Sequence, residues 1–389
     1  MAPVISTLFA GLCLFSETLA VRLYAANFAG QVHTLNLALT GPSTGSLTST
    51  QKSSGCGVTP AWLHYEDSLK TLFCFDESWQ GSGVLTTYSV GSSGLSQSGS
   101  ARTAGNTVHG SLYGGKDGKG FVATTEYSPS TLTTYKLPIN SNTKPIQTLK
   151  FTQAKPGPRP DRQDKPHPHA ALTDPTGDYL LVPDLGADLT RIFKINRDNG
   201  QLTSCANIAS QPGDGPRHGV FKQFGDAWKY YSLNEVASSV GVYDVAYGGS
   251  CLSLTLTQTI SSYGPGVTGK TTQKAAEIRI ADNFLYASNR NDQTFGNQKD
   301  SIAIFTIDAS SGKLTFVELT NSYGFFPRAF AINKNGTYVA IAGQTTANVA
   351  IVERNTETGK FGKLVANVDL PPKGTNGGED GLSAVVWEE

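Results

Sequence analysis

The sequence predicts an all-β chain: a seven-bladed β-propeller of four-stranded blades, its ring closed by the C-terminal strand pairing with the N-terminal blade. Three observations carry this. One strand–turn–strand unit recurs seven times, the composition is that of a hairpin-rich chain, and a lone strand-like segment stands near each end.

The unit is an apolar strand with a polar residue at its end, a short turn, and a second alternating strand. Its copies start at Leu23, Leu72, Phe121, Leu180, Tyr230, Leu285 and Tyr338, spaced by the roughly 50 residues of a propeller blade. Turns such as Asp174-Pro-Thr-Gly177, Asn199-Gly200 and Asn335-Gly336 separate the strands, as hairpin chemistry requires. The chain has 42 Gly, 19 Pro and a single Met, and its Thr, Tyr, Val and Phe fall in short runs broken by Gly, Asn and Asp, which favours strands. Leu382–Trp387 is too short to be a blade, and Val21-Arg-Leu-Tyr24 is a strand lacking its earlier partner. Pairing the two closes the ring and hides a strand edge. Residues 21–389 are therefore expected to form one domain. Two packed β-sandwiches would leave the seven-fold count unexplained.

Residues 1–20 read as a signal peptide. Val4 to Phe15 is a continuous apolar stretch, and Thr18-Leu19-Ala20 supplies small residues for cleavage. No other segment is long and apolar enough to span a bilayer, so a secreted protein with no membrane partner is expected. Removing the leader takes away Cys13 and leaves Cys56, Cys74, Cys205 and Cys251, an even set that allows three pairings. Cys205 and Cys251 follow Gly-containing turns at equivalent points of successive repeats. That favours their bridge and, by elimination, Cys56–Cys74. Asn335-Gly336-Thr337 is an acceptor for glycosylation in a turn. Basic and acidic residues balance at 31 each, so no global field draws nucleic acid. With no CxxC and no Cys/His cluster, neither a metal nor a cofactor is expected. No G-x-S-x-G elbow supports a serine nucleophile.

In most repeats another strand precedes the recurring one. Because hairpins are antiparallel, the start of the first strand and the end of the second share a sheet edge. Strand starts carry His109, His169, Arg217, His218, Glu277 and Arg328. Strand ends carry Asn27, Glu77, Glu126, Asp184, Glu235, Asn289, Arg290 and Gln344. Both sets are expected around one mouth of the channel. Arg holds planar oxyanions with two hydrogen bonds, and His or Glu moves protons near neutral pH, so a compact anionic or carbonyl-bearing small molecule suits such a ring. Plainer roles compete: Asp184 and Asp188 as turn caps, His218 as a prop for a neighbouring blade, Arg328 as a buried strut. His167 and His169 point to one face but lack a third ligand for a metal.

Motifs follow one per blade from Arg162 to Gln344: Arg162-Gln with Pro166-His-Pro-His169, Asp184-Leu-Gly-Ala-Asp188, Gly215-Pro-Arg-His218, Asn234-Glu235, Ser288-Asn-Arg290, Pro327-Arg328 and Ala342-Gly-Gln344. In this ordered set the chain resembles the seven-bladed lactonase family, which includes cycloisomerase-type 6-phosphogluconolactonases and fungal 3-carboxy-cis,cis-muconate cyclases. The resemblance implies catalytic roles for His169, Arg217, Glu235 and Arg290. It implies substrate binding by Arg162, His167, Asp184, His218, Asn289, Arg328 and Gln344. With the leader, it points to a secreted, monomeric, fungal-type glycoprotein acting on an unphosphorylated sugar-acid or carboxylated lactone. The alternatives are a muconate-lactonising cycloisomerase acting on a dicarboxylate, and a propeller that binds a sugar acid or cell-wall fragment without turning it over.

Overall fold

Each recurring hairpin gains one strand on either side. A computed structural model describes residues 20–389, so the expected leader falls outside the described residues but for Ala20. Seven antiparallel sheets result, six of four strands and one with a fifth short strand. The innermost strands are Leu382–Trp387, Pro60–Glu66, Thr107–Tyr113, Leu172–Thr173, Pro216–Phe224, Lys274–Ala281 and Pro327–Ile332. They stand side by side around the axis, each starting at the same mouth. The closing strand pairs with the first as predicted, in a register running from Leu23 opposite Trp387 to Asn27 opposite Leu382. Leu382, Val385 and Trp387 pack into the apolar layer shared with the seventh blade.

Neighbouring blades are joined by apolar layers and by two repeated polar ties. Tyr113, Tyr231 and Tyr286 each donate a hydroxyl to the carbonyl of a turn glycine one blade on: Gly200, Gly312 and Gly359. Farther out, Gln51, Gln147 and Gln258 each bridge to a leucine in the next blade. In each case the amide donates to the leucine carbonyl and accepts from its N–H, over 2.8–3.1 Å. These side chains satisfy backbone groups at the sheet margins that would otherwise be left to solvent. Both favoured disulfides are present, Cys56–Cys74 and Cys205–Cys251, and the second ties the outer edge of the fourth blade to the outermost strand of the fifth.

Two features depart from the expected hairpins. Of the inner strand expected to start near His169, only Leu172–Thr173 pairs regularly, preceded by an isolated bridge between Pro168 and Asp184. Pro166 and Pro168 lack the N–H that a ladder needs. The second departure recurs. At the starts of the inner strands the register slips by one residue: Pro216 faces Asn234 while His218 faces Leu233, and Pro327 faces Gly343 while Ala329 faces Ala342. Arg217 and Arg328 are thus the extra residues of β-bulges, which re-aim side chains that alternation would send elsewhere.

Candidate active site

The mouth at which the inner strands begin holds a cavity of about 240 Å³ lined by side chains from several blades. Its floor is built around one carboxylate. Glu235, at the end of Ala227–Asn234, is almost wholly buried and meets three guanidinium groups. Arg162 Nη2 lies 2.6 Å from one oxygen, with Arg217 Nε at 2.9 Å and Arg290 Nη2 at 2.8 Å from the other. All three meet it as close charges rather than as well-aligned hydrogen bonds. Burial opposes the charge on Glu235, but Arg162, Arg290 and Arg217 outweigh it and hold the carboxyl well below its usual range. An anion so held is a poor proton acceptor and a strong anchor for arginine.

Three cations on one anion leave the cluster electron-poor. Burial and the neighbouring Arg290 both press the Arg217 pKa down, and burial lowers that of Arg290. A ligand bringing negative charge, or developing it, relieves that strain. Arg217 sits beneath the cavity lining: Nη1 donates to the Ala276 carbonyl and lies 3.1 Å from His218 Nε2. The cations that line the cavity are Arg162, Arg290, Arg328 and Lys274. Lys274 has no carboxylate partner among the described residues, and burial lowers its pKa to about 8.

His169 is the cavity's basic nitrogen. Burial pushes its pKa well below the ordinary value, with Arg217 and His218 adding to the effect, so the ring is neutral at neutral pH. Nδ1 is buried without a partner, which leaves Nε2 as the nitrogen open to the cavity. The ring is wedged edge-on between Tyr127 (centroids 5.7 Å apart) and His218 (5.4 Å). On the far wall Arg328 bridges Glu77 at 2.9 Å and Glu379 at 3.4 Å. It is a strut and a lining cation at once.

A model of the family described as a seven-bladed β-propeller lactonase matches residues 18–375. The chain belongs to this lactonase family. An Arthroderma benhamiae relative named "Probable 6-phosphogluconolactonase" is 33% identical over 307 residues, covering 78% of this chain and 75% of its own length. A 6-phosphogluconolactonase of Formosa agariphila is 34% identical over 255 residues, 64% of this chain and 67% of that one. The structure of the Pseudomonas aeruginosa periplasmic gluconolactonase has the same fold, with a TM-score of 0.78 at 24% identity, over 95% of this chain and 99% of that one.

Within this lactonase-family propeller, His169, Glu235 and Arg290 converge on the cavity with Arg162 and Arg328, and Arg217 lies directly under it. Five residues expected to touch substrate do not line it. His167 is stacked flat on Tyr127 at 4.0 Å and bonded to Asp164, one layer out. Asp184 caps the His167 and Ala187 amides and pairs with Arg191. His218 is under Arg217, facing Glu277. Asn289 bonds Ser262 and Ser301, and Gln344 donates to the Gly378 carbonyl. Asp188 caps the Gly213 and Gly215 amides. Of the rest of the expected ring, Asn27 holds the carbonyls of Leu370 and Pro372, Glu126 lies among threonines, and the His109 ring faces the other end of the channel. Trp79, Tyr127, Asp161, Lys274 and Glu379 line the site without having been expected there. Tyr127 follows a strand end and Lys274 opens an inner strand, so carrying the hairpin rule one residue further would have found both.

Proposed function

We propose that this chain is an exported lactone hydrolase that opens an unphosphorylated sugar-acid lactone at the first mouth. The observation that carries the reading is a neutral, unpartnered histidine facing a cavity walled by guanidinium groups around one anchoring carboxylate. Water attacks the lactone carbonyl carbon and passes a proton to His169 Nε2. The carbonyl oxygen becomes an oxyanion beside Arg290 and Arg162, which are already oriented by Glu235. The ring C–O bond then breaks, and His169 returns the proton to the leaving alkoxide. Glu235, held ionised by three arginines, orients the cations instead of carrying protons, and Arg217 supports it from below.

The rim supports a substrate without phosphate. Glu77, Glu379 and Asp161 share it with the cations, and each lining arginine already has a carboxylate partner. A phosphate dianion would face the carboxylates of Glu379 and Asp161 there, while burial raises the Glu77 pKa to about 8 and keeps that group largely protonated. Two disulfides are in keeping with an oxidising compartment and with the expected leader, which makes Asn335, exposed in its turn, available for glycosylation.

The test is acid release from glucono-δ-lactone and from its 6-phosphate. Turnover of the first is expected to fall about 100-fold or more in His169→Ala and Arg290→Ala. Because the His169 pKa is lowered, kcat/KM is expected to hold steady as pH falls from 7.5 through 6.5, where an ordinary histidine would protonate, and to drop only below that. Rates unchanged in both variants would sink the hydrolase. Preference for the phosphorylated lactone would sink the substrate assignment. Loss of the conjugated diene of carboxymuconate without lactone opening would favour the cyclase, and a ligand-induced rise in melting temperature without turnover would favour a binding propeller.

A further inference from the structure

The channel has a second cavity, at the end where the inner strands finish. It measures about 500 Å³, inside the roughly 300–1,000 Å³ of small-molecule sites. None of its lining residues is shared with the first. Between the two cavities lies a stack of rings: His218 meets His169 at 5.4 Å, His109 at 5.2 Å and Trp62 at 5.3 Å, and Trp62 lies on His109 at 4.3 Å. A ligand at one end does not reach the other.

Arg279 supplies the donors that the cavity can reach. Its side chain is 34% exposed, and only Nη1 is engaged, at 3.0 Å from Glu277 and 3.3 Å from the Ile278 carbonyl. Its guanidinium lies 5.9 Å from the Trp62 ring centre. At the rim Lys119 and Glu66 are paired at 3.0 Å and cancel each other. The remaining wall is apolar, with Leu112, Leu172, Val220 and Phe221. Unspent donors at one side and a hydrophobic slot at the other call for a flat apolar body with an oxygen-acceptor head, and a carboxylate is the acceptor that pairs best with a free guanidinium edge.

We infer that the second cavity binds a small aromatic carboxylic acid, its carboxylate on Arg279 and its ring against Phe221 and Val220. This does not depend on the reading of the first mouth. Benzoate is the probe, titrated calorimetrically into the full chain. Saturable binding is expected in wild type and in His169→Ala. It should weaken about tenfold or more in Arg279→Ala and vanish in Val220→Trp, which fills the slot from a half-buried position. Benzamide, of the same shape without the charge, should bind at least tenfold more weakly. Absence of binding at millimolar benzoate would overturn the inference. So would equal affinity for benzamide, survival of binding in both cavity variants, or its loss in His169→Ala alone.

Discussion

Among the single residues, Glu235 and Glu126 show how neighbours decide what a buried carboxylate is. Both are essentially unexposed, and they stand one residue apart in the repeat: Glu126 is the last residue of its strand, as Asn234 is of its own, and Glu235 follows Asn234. Glu235 has three guanidinium partners and stays ionised. Glu126 has only hydroxyl donors: Thr124 at 2.5 Å, Thr131 at 2.8 Å and Thr133 at 2.9 Å. Burial raises its pKa to about 7 against those three bonds. A carboxyl whose pKa is higher folded than unfolded leaves stability intact below about pH 4.5 and erodes it as pH climbs towards 7. Glu126→Gln keeps the shape and removes the titration. At pH 8 it is expected to melt several degrees above wild type, the shift corresponding to on the order of 3 kcal/mol. At pH 4.5 the two should melt together. Asp214 and Asp300, both raised to about 6 by burial, and Glu77, raised to about 8, keep a slope of the same sign in the variant, shallower than in wild type. A variant that gained nothing at pH 8 would show that Glu126 finds another partner there.

Strands and their edges explain most of what could and could not be seen beforehand. The seven-fold repeat was legible because period-2 alternation and Gly- or Asn-rich turns write it directly into the chain. Closure by Leu382–Trp387 followed from counting strands. His169, Glu235 and Arg290 were found because antiparallel pairing alone carries strand starts and strand ends to one mouth. The bulges were not legible, since a slip of one residue changes no residue type. They matter because Arg217 and His218 are neighbours in sequence, yet both face the axis and touch. Without that slip, alternation would send one of them into the sheet packing. His109 does stand near the start of its inner strand, but its ring joins the stack beneath the first mouth and faces the second cavity, a depth that strand position alone does not give. The outer glutamine bridges were equally hidden, because Gln looks like any exposed residue until the next blade is in place. Gln258→Ala removes both bonds to Leu314 and leaves its backbone groups to compete for water. A loss of about 1–2 kcal/mol in urea unfolding is expected, at two net hydrogen bonds. Gln258→Glu should lose more than half of that, since a carboxylate cannot donate to the Leu314 carbonyl. Unchanged midpoints would mean that solvent serves those groups equally well.

In the whole molecule, the cavity at each mouth exists only if the ring stays shut, and closure rests on the last strand. Leu382–Trp387 supplies five ladder partners to the first strand. It also buries Leu382, Val385 and Trp387 against the seventh blade and Ala384 beside the second. Trp387 Nε1 donates to the Ala331 carbonyl at 2.9 Å, and Ser383 Oγ donates to the carbonyls of Ala26 and Pro60, on either side of the seam. Arg22 grips Glu388 beyond the strand end. Ending the chain at Gly381 would remove all of these and bare the edge of Ala20–Asn27, a row of unpaired N–H and C=O groups beside exposed apolar surface. Each propeller interface supports the next, so the damage should spread around the ring: a lower, broader melt, and association through the open edge that grows with concentration in size-exclusion chromatography. Adding a peptide of residues 382–389 in trans should restore the sharp melt and the original size, because the missing contacts are those of one strand. A truncated chain that kept the wild-type melt and size would show that blade-to-blade packing holds the ring without its clasp.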